Sequence, residues 1–288
     1  MKSRKRIVII GASGFIGSAL REGLTDYDIV TYRGRDVSDT KPEKLCEIIR
    51  GSDALINLAG KSIFGLWTPG NKKKIYQSRI KTTRRIVEAI NLCDNPPTHV
   101  LNASAIGIYK PETEVDEYSE EFDTNFLAGV LKDWENEVKK IDNKNIKISI
   151  LRFGIVLGKE GGAYKTFRIL TKFQIGAVFN GGNQSLSFIY LKDLVKAIGF
   201  ILEKEIAGTV NFVSPGVSDF RTIFHEIKSY VNALFIWNLP GFIIKYPLGE
   251  TSDLVLKGHK VKPAVLLKNN FNFEAGNIET CVNKIENN

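Results

Sequence analysis

The feature that most constrains this chain is Gly11-Ala12-Ser13-Gly14-Phe15-Ile16-Gly17, which follows the β-branched run Arg6 to Ile10 and opens a helix-like segment. Each glycine has a mechanical reason. Gly11 permits a tight strand-to-helix turn, Gly14 lets backbone N–H groups approach a pyrophosphate, and Gly17 allows the helix to pack closely on a sheet. A diphosphate at that helix start would meet free amides and the positive end of the macrodipole. A second strand-like run, Asp28 to Tyr32, follows at the distance a βαβ unit requires.

The rhythm continues along the chain. Pro42 to Arg50 reads as helix, Ala54 to Leu58 as strand and Lys73 to Leu92 as helix, and His99 to Leu101 begins another strand. Phe126 to Lys139 is helical, Lys147 to Phe153 a strand, Leu191 to Leu202 helical and Thr209 to Val213 a strand. Strands separated by helices of this length predict right-handed crossovers and a parallel sheet. The expected fold is therefore α/β, a Rossmann-type doubly wound sheet formed by residues 1–158 and completed by 185–215. Residues 159–184 and 216–288 are expected to form a smaller substrate-side lobe. Between Gly161-Gly162 and Gly181-Gly182 no clear periodicity is visible.

The end of the second strand bears on the choice of dinucleotide. An acid there would take the adenosine ribose hydroxyl and favour NAD. The sequence instead runs Thr31-Tyr32-Arg33-Gly34-Arg35. Arg33 is placed to pair with a 2′-phosphate through charge-assisted hydrogen bonds, so NADP(H) is the expected cofactor.

Other classes of function find little support. The net charge is +8, but the only tight basic run is Lys72-Lys73-Lys74 and no aromatic residues alternate with it, which argues against nucleic acid. No apolar stretch is long enough to span a membrane. The basic opening Met1 to Arg6 precedes an apolar run that Gly11 cuts short, unlike a signal peptide. Cys46, Cys93 and Cys281 have no metal-ligand or disulfide spacing, and a cytoplasmic location is expected. No metal site is expected: His99, His225 and His259 have no cysteine or carboxylate at ligand spacing. Asp116-Glu117 and Glu120-Glu121 read as a solvated acidic loop.

Asn57-Leu58-Ala59-Gly60 resembles the Asn-Asn-Ala-Gly element of short-chain dehydrogenases/reductases. Further matches are Ser78 to Arg84, Ser104 to Tyr109, Lys132 to Glu135, Leu151 to Gly158, Ser187 to Leu194 and the tail from Gly249 to Phe273. Together they resemble the atypical extended branch of NADP-binding "epimerase family" proteins, including its extra C-terminal domain. The resemblance implies cofactor contacts from Ser13, Gly14, Phe15 and Ile16, from Tyr32 and Arg33, and from Leu58, Ala59 and Gly60. It also implies that Arg79 faces the cofactor and that Ile155 or Val156 lies by the nicotinamide.

Chemistry in that superfamily normally uses a Tyr-x-x-x-Lys pair, the ammonium lowering the phenol pKa. Aligned on Glu135, the two positions carry Leu127 and Leu131, neither of which titrates. Ser104 and Tyr109 are the remaining catalytic candidates, the first to bond a carbonyl and the second to donate a proton. The chain is thus expected to be an NADP(H)-dependent oxidoreductase or epimerase on an unidentified small carbonyl- or hydroxyl-bearing substrate, as a monomer or homodimer. The alternative is a non-catalytic NADP(H)-binding redox sensor or regulatory module. Trp67, Tyr164 and Trp237 are aromatic candidates for the pocket wall.

Overall fold

β1 (Arg6–Ile10) is buried on both faces because its apolar residues alternate between two layers. Ile7 and Ile9 point to one core, Val8 and Ile10 to the other. The structure, a computed structural model, describes residues 4–287, so part of the basic opening and the final asparagine lie outside it. After β1 come α1 (Phe15–Gly23), β2 (Asp28–Tyr32), a short α2 (Gly34–Val37), α3 (Pro42–Ile49), β3 (Ala54–Asn57), α4 (Pro69–Leu92) and β4 (His99–Ala105). Then follow β5 (Glu114–Val115), α5 (Phe126–Val138), β6 (Lys147–Phe153), β7 (Ile155–Gly158), α6 (Gly162–Lys172), β8 (Ala177–Phe179), β9 (Ser185–Leu186) and β10 (Phe188–Tyr190). The chain continues through α7 (Leu191–Lys204), β11 (Gly208–Phe212), β12 (Ser218–Asp219), α8 (Phe220–Val231), β13 (Trp237–Leu239) and α9 (Phe242–Leu248). It ends with α10 (Asp253–Leu256), β14 (Lys260–Val261), α11 (Ala264–Lys268) and α12 (Ile278–Glu286).

Six strands pair in parallel in the order β11-β6-β4-β3-β1-β2. Because β2 and β3 lie on opposite sides of β1, the strand order reverses between β1 and β3. In doubly wound sheets a crevice opens at such a switch, beyond the carboxyl ends of the strands. Apolar residues of α1 and α7 cover one face, and those of α3 and α4 the other. A separate core joins Tyr164 of α6, Phe220 and Phe224 of α8, and Ile278 and Val282 of α12.

Local chemistry sets the element ends. α4 starts four residues before the expected Lys73, because the Thr68 hydroxyl accepts from Asn71 N (3.3 Å) and Pro69 has the fixed φ of a first helical residue. α6 occupies a segment in which the sequence suggested no periodicity. It buries only Tyr164 and Thr171, with Phe167 half-buried between them. The three cysteines are buried free thiols. Among the described residues no helix is long and apolar enough to cross a membrane, and no three His, Cys, Asp or Glu side chains gather as a metal site.

Candidate functional site

The glycine loop is shaped partly by the protein and partly by something else. Gly11 has φ +89°, and a Cβ there would lie 3.0 Å from the Leu58 carbonyl carbon. A Cβ on Gly17 would come within 2.5 Å of Gly11 O and 2.6 Å of Ala12 Cα. Those two glycines are required by the fold itself. Gly14 is not: a Cβ there would meet only Gly11 O, at an ordinary 3.5 Å. Its bare backbone opens onto the crevice. It is also the N-cap of α1, which has no side-chain cap and no acid in its first turn. Uncapped amides at an open helix start suit an anionic group.

The facing turn after β3 is held by buried side chains. Asn57 Oδ1 accepts from Ala59 N (3.1 Å), while its Nδ2 donates to Asn102 Oδ1 (2.7 Å) and Thr83 Oγ1 (3.0 Å). Trp134 Nε1 donates to the same threonine oxygen (2.8 Å). Gly60 leaves room for Arg79, since a Cβ there would sit 3.1 Å from the guanidinium carbon. Arg79 Nη1 donates to Lys61 O (3.0 Å) and Ile75 O (3.2 Å), and its Nε is buried with no hydrogen-bond partner among the described residues. Burial lowers its pKa to about 10. A guanidinium with no acidic partner among the described residues thus stands on the crevice wall.

The crevice has a volume of about 890 Å³. It collects Gly11, Gly14, Phe15 and Ile16 from the first loop, Leu58 and Gly60 from the second, Arg79 from α4, and Ile155 and Val156 from β7. Ser13, Tyr32, Arg33 and Ala59 do not line it. Ser13 is exposed on the loop, and Ala59 is buried behind the turn. The Tyr32 hydroxyl is bonded to Thr40 Oγ1 (3.0 Å). Arg33 is exposed and precedes α2 as its N-cap, without an ion pair among the described residues. Of the aromatic residues expected at the wall, Trp67 is there. Tyr164 instead lies in the second core, its hydroxyl donating to Glu286 (2.7 Å), and Trp237 is exposed.

The two catalytic candidates part company. Ser104, near the end of β4, is on the crevice wall, and its Oγ donates to Glu135 Oε1 (2.6 Å). Glu135 also receives a bidentate pair from Arg152, at 2.8 and 2.7 Å. Tyr109 lies outside the crevice, fully buried. A single 3-10 turn over Ile106–Ile108 folds the chain back beneath the wall. There the phenol donates to Asn211 Oδ1 (3.0 Å) and accepts from Arg152 Nη1 (2.8 Å), and burial raises its pKa. Burial pulls the Arg152 guanidinium down, but hydrogen bonding and charge from Glu135 outweigh it, so its pKa ends above the ordinary value. Proton donation into the crevice, expected of Tyr109, is not open to a hydroxyl in this position. Leu127 and Leu131 both line the crevice.

Two further groups escaped the sequence reading. Glu117, expected in a solvated loop, accepts amide hydrogens from Asn211 (2.9 Å), Ala264 (2.9 Å) and Val265 (3.3 Å), tying β11 to α11. His259 lines the crevice, and its Nδ1 is buried without a hydrogen-bond partner among the described residues. Its backbone is clamped: His259 N donates to Ser185 O (3.1 Å), and Ser187 Oγ donates to His259 O (2.7 Å). Burial lowers its pKa. These contacts span more than seventy residues of sequence, and no local pattern announces them.

Fold and crevice together define a Rossmann-type α/β protein with its ligand groove at the sheet's switch point. The chain belongs to the NAD dependent epimerase/dehydratase family, whose model matches residues 7–212. A second model, the domain of unknown function DUF1731, matches residues 239–285. Epimerase family protein YfhF of Bacillus subtilis is 30% identical over 295 residues, covering 97% of each chain. Epimerase family protein SH2119 of Staphylococcus haemolyticus is 29% identical over 291 residues, covering 96% of this chain and 97% of the relative. The crystal structure of human epimerase family protein SDR39U1 (isoform 2) with NADPH superposes with a TM-score of 0.89 at 22% identity, covering 98% of this chain and 99% of that one. At that identity the likeness establishes the shared fold.

Proposed function

We propose that this protein binds NADP(H) along the crevice and acts as an oxidoreductase- or epimerase-like protein on a small carbonyl- or hydroxyl-bearing substrate, without a Tyr–Lys pair. The observation that carries the reading is Gly14, a bare glycine that no protein neighbour requires, at the uncapped start of α1. A diphosphate fits that cradle, and Arg79 supplies the unmatched cation opposite. Arg33 is the group to pair with a 2′-phosphate. The human neighbour was crystallised with NADPH, and a dTDP-4-dehydrorhamnose reductase of the same fold from Bacillus anthracis with NADP.

NADP(H), when bound, supplies a hydride donor or acceptor. The protein's own part is to orient the substrate and exclude water. Because the Ser104 proton is committed to Glu135, its oxygen presents lone pairs to the crevice and can accept a hydrogen bond from a substrate hydroxyl. Ile155 and Val156 form an apolar seat at the nicotinamide end.

Consumption of NADPH across a panel of carbonyl compounds tests the enzymatic reading. Turnover that falls at least about tenfold in Ser104→Ala, with NADPH affinity intact, is the expected result. The non-catalytic sensor is favoured by one observation, that Leu127 and Leu131 bring no titrating group to the wall. An absence of turnover across the panel, at saturating NADPH, would select it.

A further inference from the structure

The two halves of the crevice differ in charge balance. Arg79 and Lys61, which have no carboxylate partner among the described residues, flank the Gly60 turn beside the glycine loop. In the other half the cations are already matched. Lys72 pairs with Glu250 (2.7 Å) and Lys257 with Asp253 (2.7 Å). Lys72 also sits 4.9 Å above the Phe126 ring. Between these pairs the wall is carbon, formed by Trp67, Phe126, Leu127, Leu131 and Leu254. Trp67 and Phe126 meet edge to face at 5.4 Å.

Among the uncharged polar residues that line the crevice here are Ser104 and His259. Ser187 links His259 to the expected nicotinamide end: its carbonyl accepts from Ile155 N (3.0 Å), and its hydroxyl donates to His259 O (2.7 Å). The charged groups that act on the imidazole are Asp123, Glu112 and Lys257. Glu112 is occupied by Gly258 N (2.9 Å) and Ser185 Oγ (3.3 Å), and Lys257 by Asp253.

We infer that the substrate half takes an uncharged, mainly apolar ketone or secondary alcohol whose oxygen meets the His259 imidazole, an alcohol having also the Ser104 lone pairs to donate to, and not a nucleoside-diphosphate sugar. The inference rests on the reading of the first half as the cofactor's. A diphosphate in the substrate half would compete with Glu250 and Asp253 for the two lysines or lie unpaired against carbon, where a desolvated charge costs several kcal/mol. A buried imidazole nitrogen without a partner, by contrast, gains a hydrogen bond when a lone carbonyl or hydroxyl oxygen arrives.

The test is calorimetry on the full chain saturated with NADP+, using methyl ethyl ketone, methyl nonyl ketone and UDP-glucose as probes. Affinity should rise at least about tenfold from the short to the long ketone, since each buried methylene adds favourable transfer energy. UDP-glucose should give no binding heat. His259→Leu should weaken the long ketone about tenfold and leave NADP+ affinity unchanged. In NMR spectra of the wild-type protein, the long ketone should shift the His259 imidazole resonance and leave those of His99 and His225 in place. UDP-glucose binding tighter than the long ketone, affinity flat with chain length, or an unmoved His259 resonance would overturn the inference. Failure of NADP+ itself to bind, read in the first titration, would overturn the cofactor reading and this inference with it.

Discussion

The glycine loop after β1 and the seam between the sheet and the C-terminal segment are built on opposite principles. The loop depends on missing atoms: Gly17 brings backbone against backbone within a single turn, and Gly11 lets that turn press on the Leu58 backbone. The seam depends on buried polar side chains in series. Ser104 bonds Glu135, Glu135 bonds Arg152, Arg152 bonds Tyr109, and Tyr109 bonds Asn211, whose backbone amide donates to Glu117, which also accepts from the first amides of α11. The first device is specified by a few adjacent residues, the second only once the whole chain has folded.

The seam should be the more fragile of the two. Glu135→Ala leaves the buried Arg152 guanidinium without its counter-charge, and a loss of about 3–5 kcal/mol in urea unfolding is expected. A loss under about 1 kcal/mol would mean that the network contributes little and the contrast is false. Acid sharpens the contrast from the far end of the sheet. His99 bonds Ser149 Oγ (2.7 Å), and burial pushes its pKa down to about 4 from the ordinary 6.5. Above pH 6.5 the ring is neutral in both states and contributes nothing. As pH falls towards 4 the unfolded chain takes up the proton first, so stability should fall by on the order of 3 kcal/mol and then level off. In His99→Gln this component of the pH dependence should vanish; an unchanged curve would assign it to other groups.

Within the loop, paired substitutions separate fold from ligand. Gly17→Ala should cost about 1–3 kcal/mol by overpacking against Gly11 O and Ala12. Gly14→Ala should change stability by less than about 1 kcal/mol, yet weaken NADPH at least about tenfold by filling the space the diphosphate needs. Equal effects of the two on unfolding would remove the distinction drawn between them. Tyr109→Phe should cost about 1–2 kcal/mol of stability from the bonds lost to Arg152 and Asn211, and nothing in cofactor binding. NADPH affinity should stay at the wild-type value, and a large drop would return Tyr109 to the crevice.

These differences also explain what could be read from the sequence. β1 and β6 fall where β-branched runs meet turn residues, because a strand buried on both faces leaves a continuous apolar signature, while β2, a half-buried edge strand, is marked by Ile29, Val30 and Tyr32 alone. β4, expected to begin at His99 and to end near Ser104, runs to Ala105, and its polar Asn102 and Ser104 are satisfied by Asn57 and Glu135. α2 was hidden in Arg33-Gly34-Arg35, where a Cβ on Gly34 would strike Ala59 at 2.6 Å. The glycine loop and the Asn57–Gly60 turn were legible as motifs, since backbone geometry demands particular residues locally. His259 and Glu117 were not, because their partners lie far away in sequence and a lone histidine or glutamate in a polar stretch carries no signature.

The most direct measurement is a calorimetric titration of the wild-type protein and Arg33→Ala with NADPH and NADH. The account predicts that the wild type binds NADPH at least about tenfold tighter than NADH and that the variant loses this preference through weaker NADPH binding. Tighter binding of NADH, or NADPH affinity unchanged in Arg33→Ala, would contradict it.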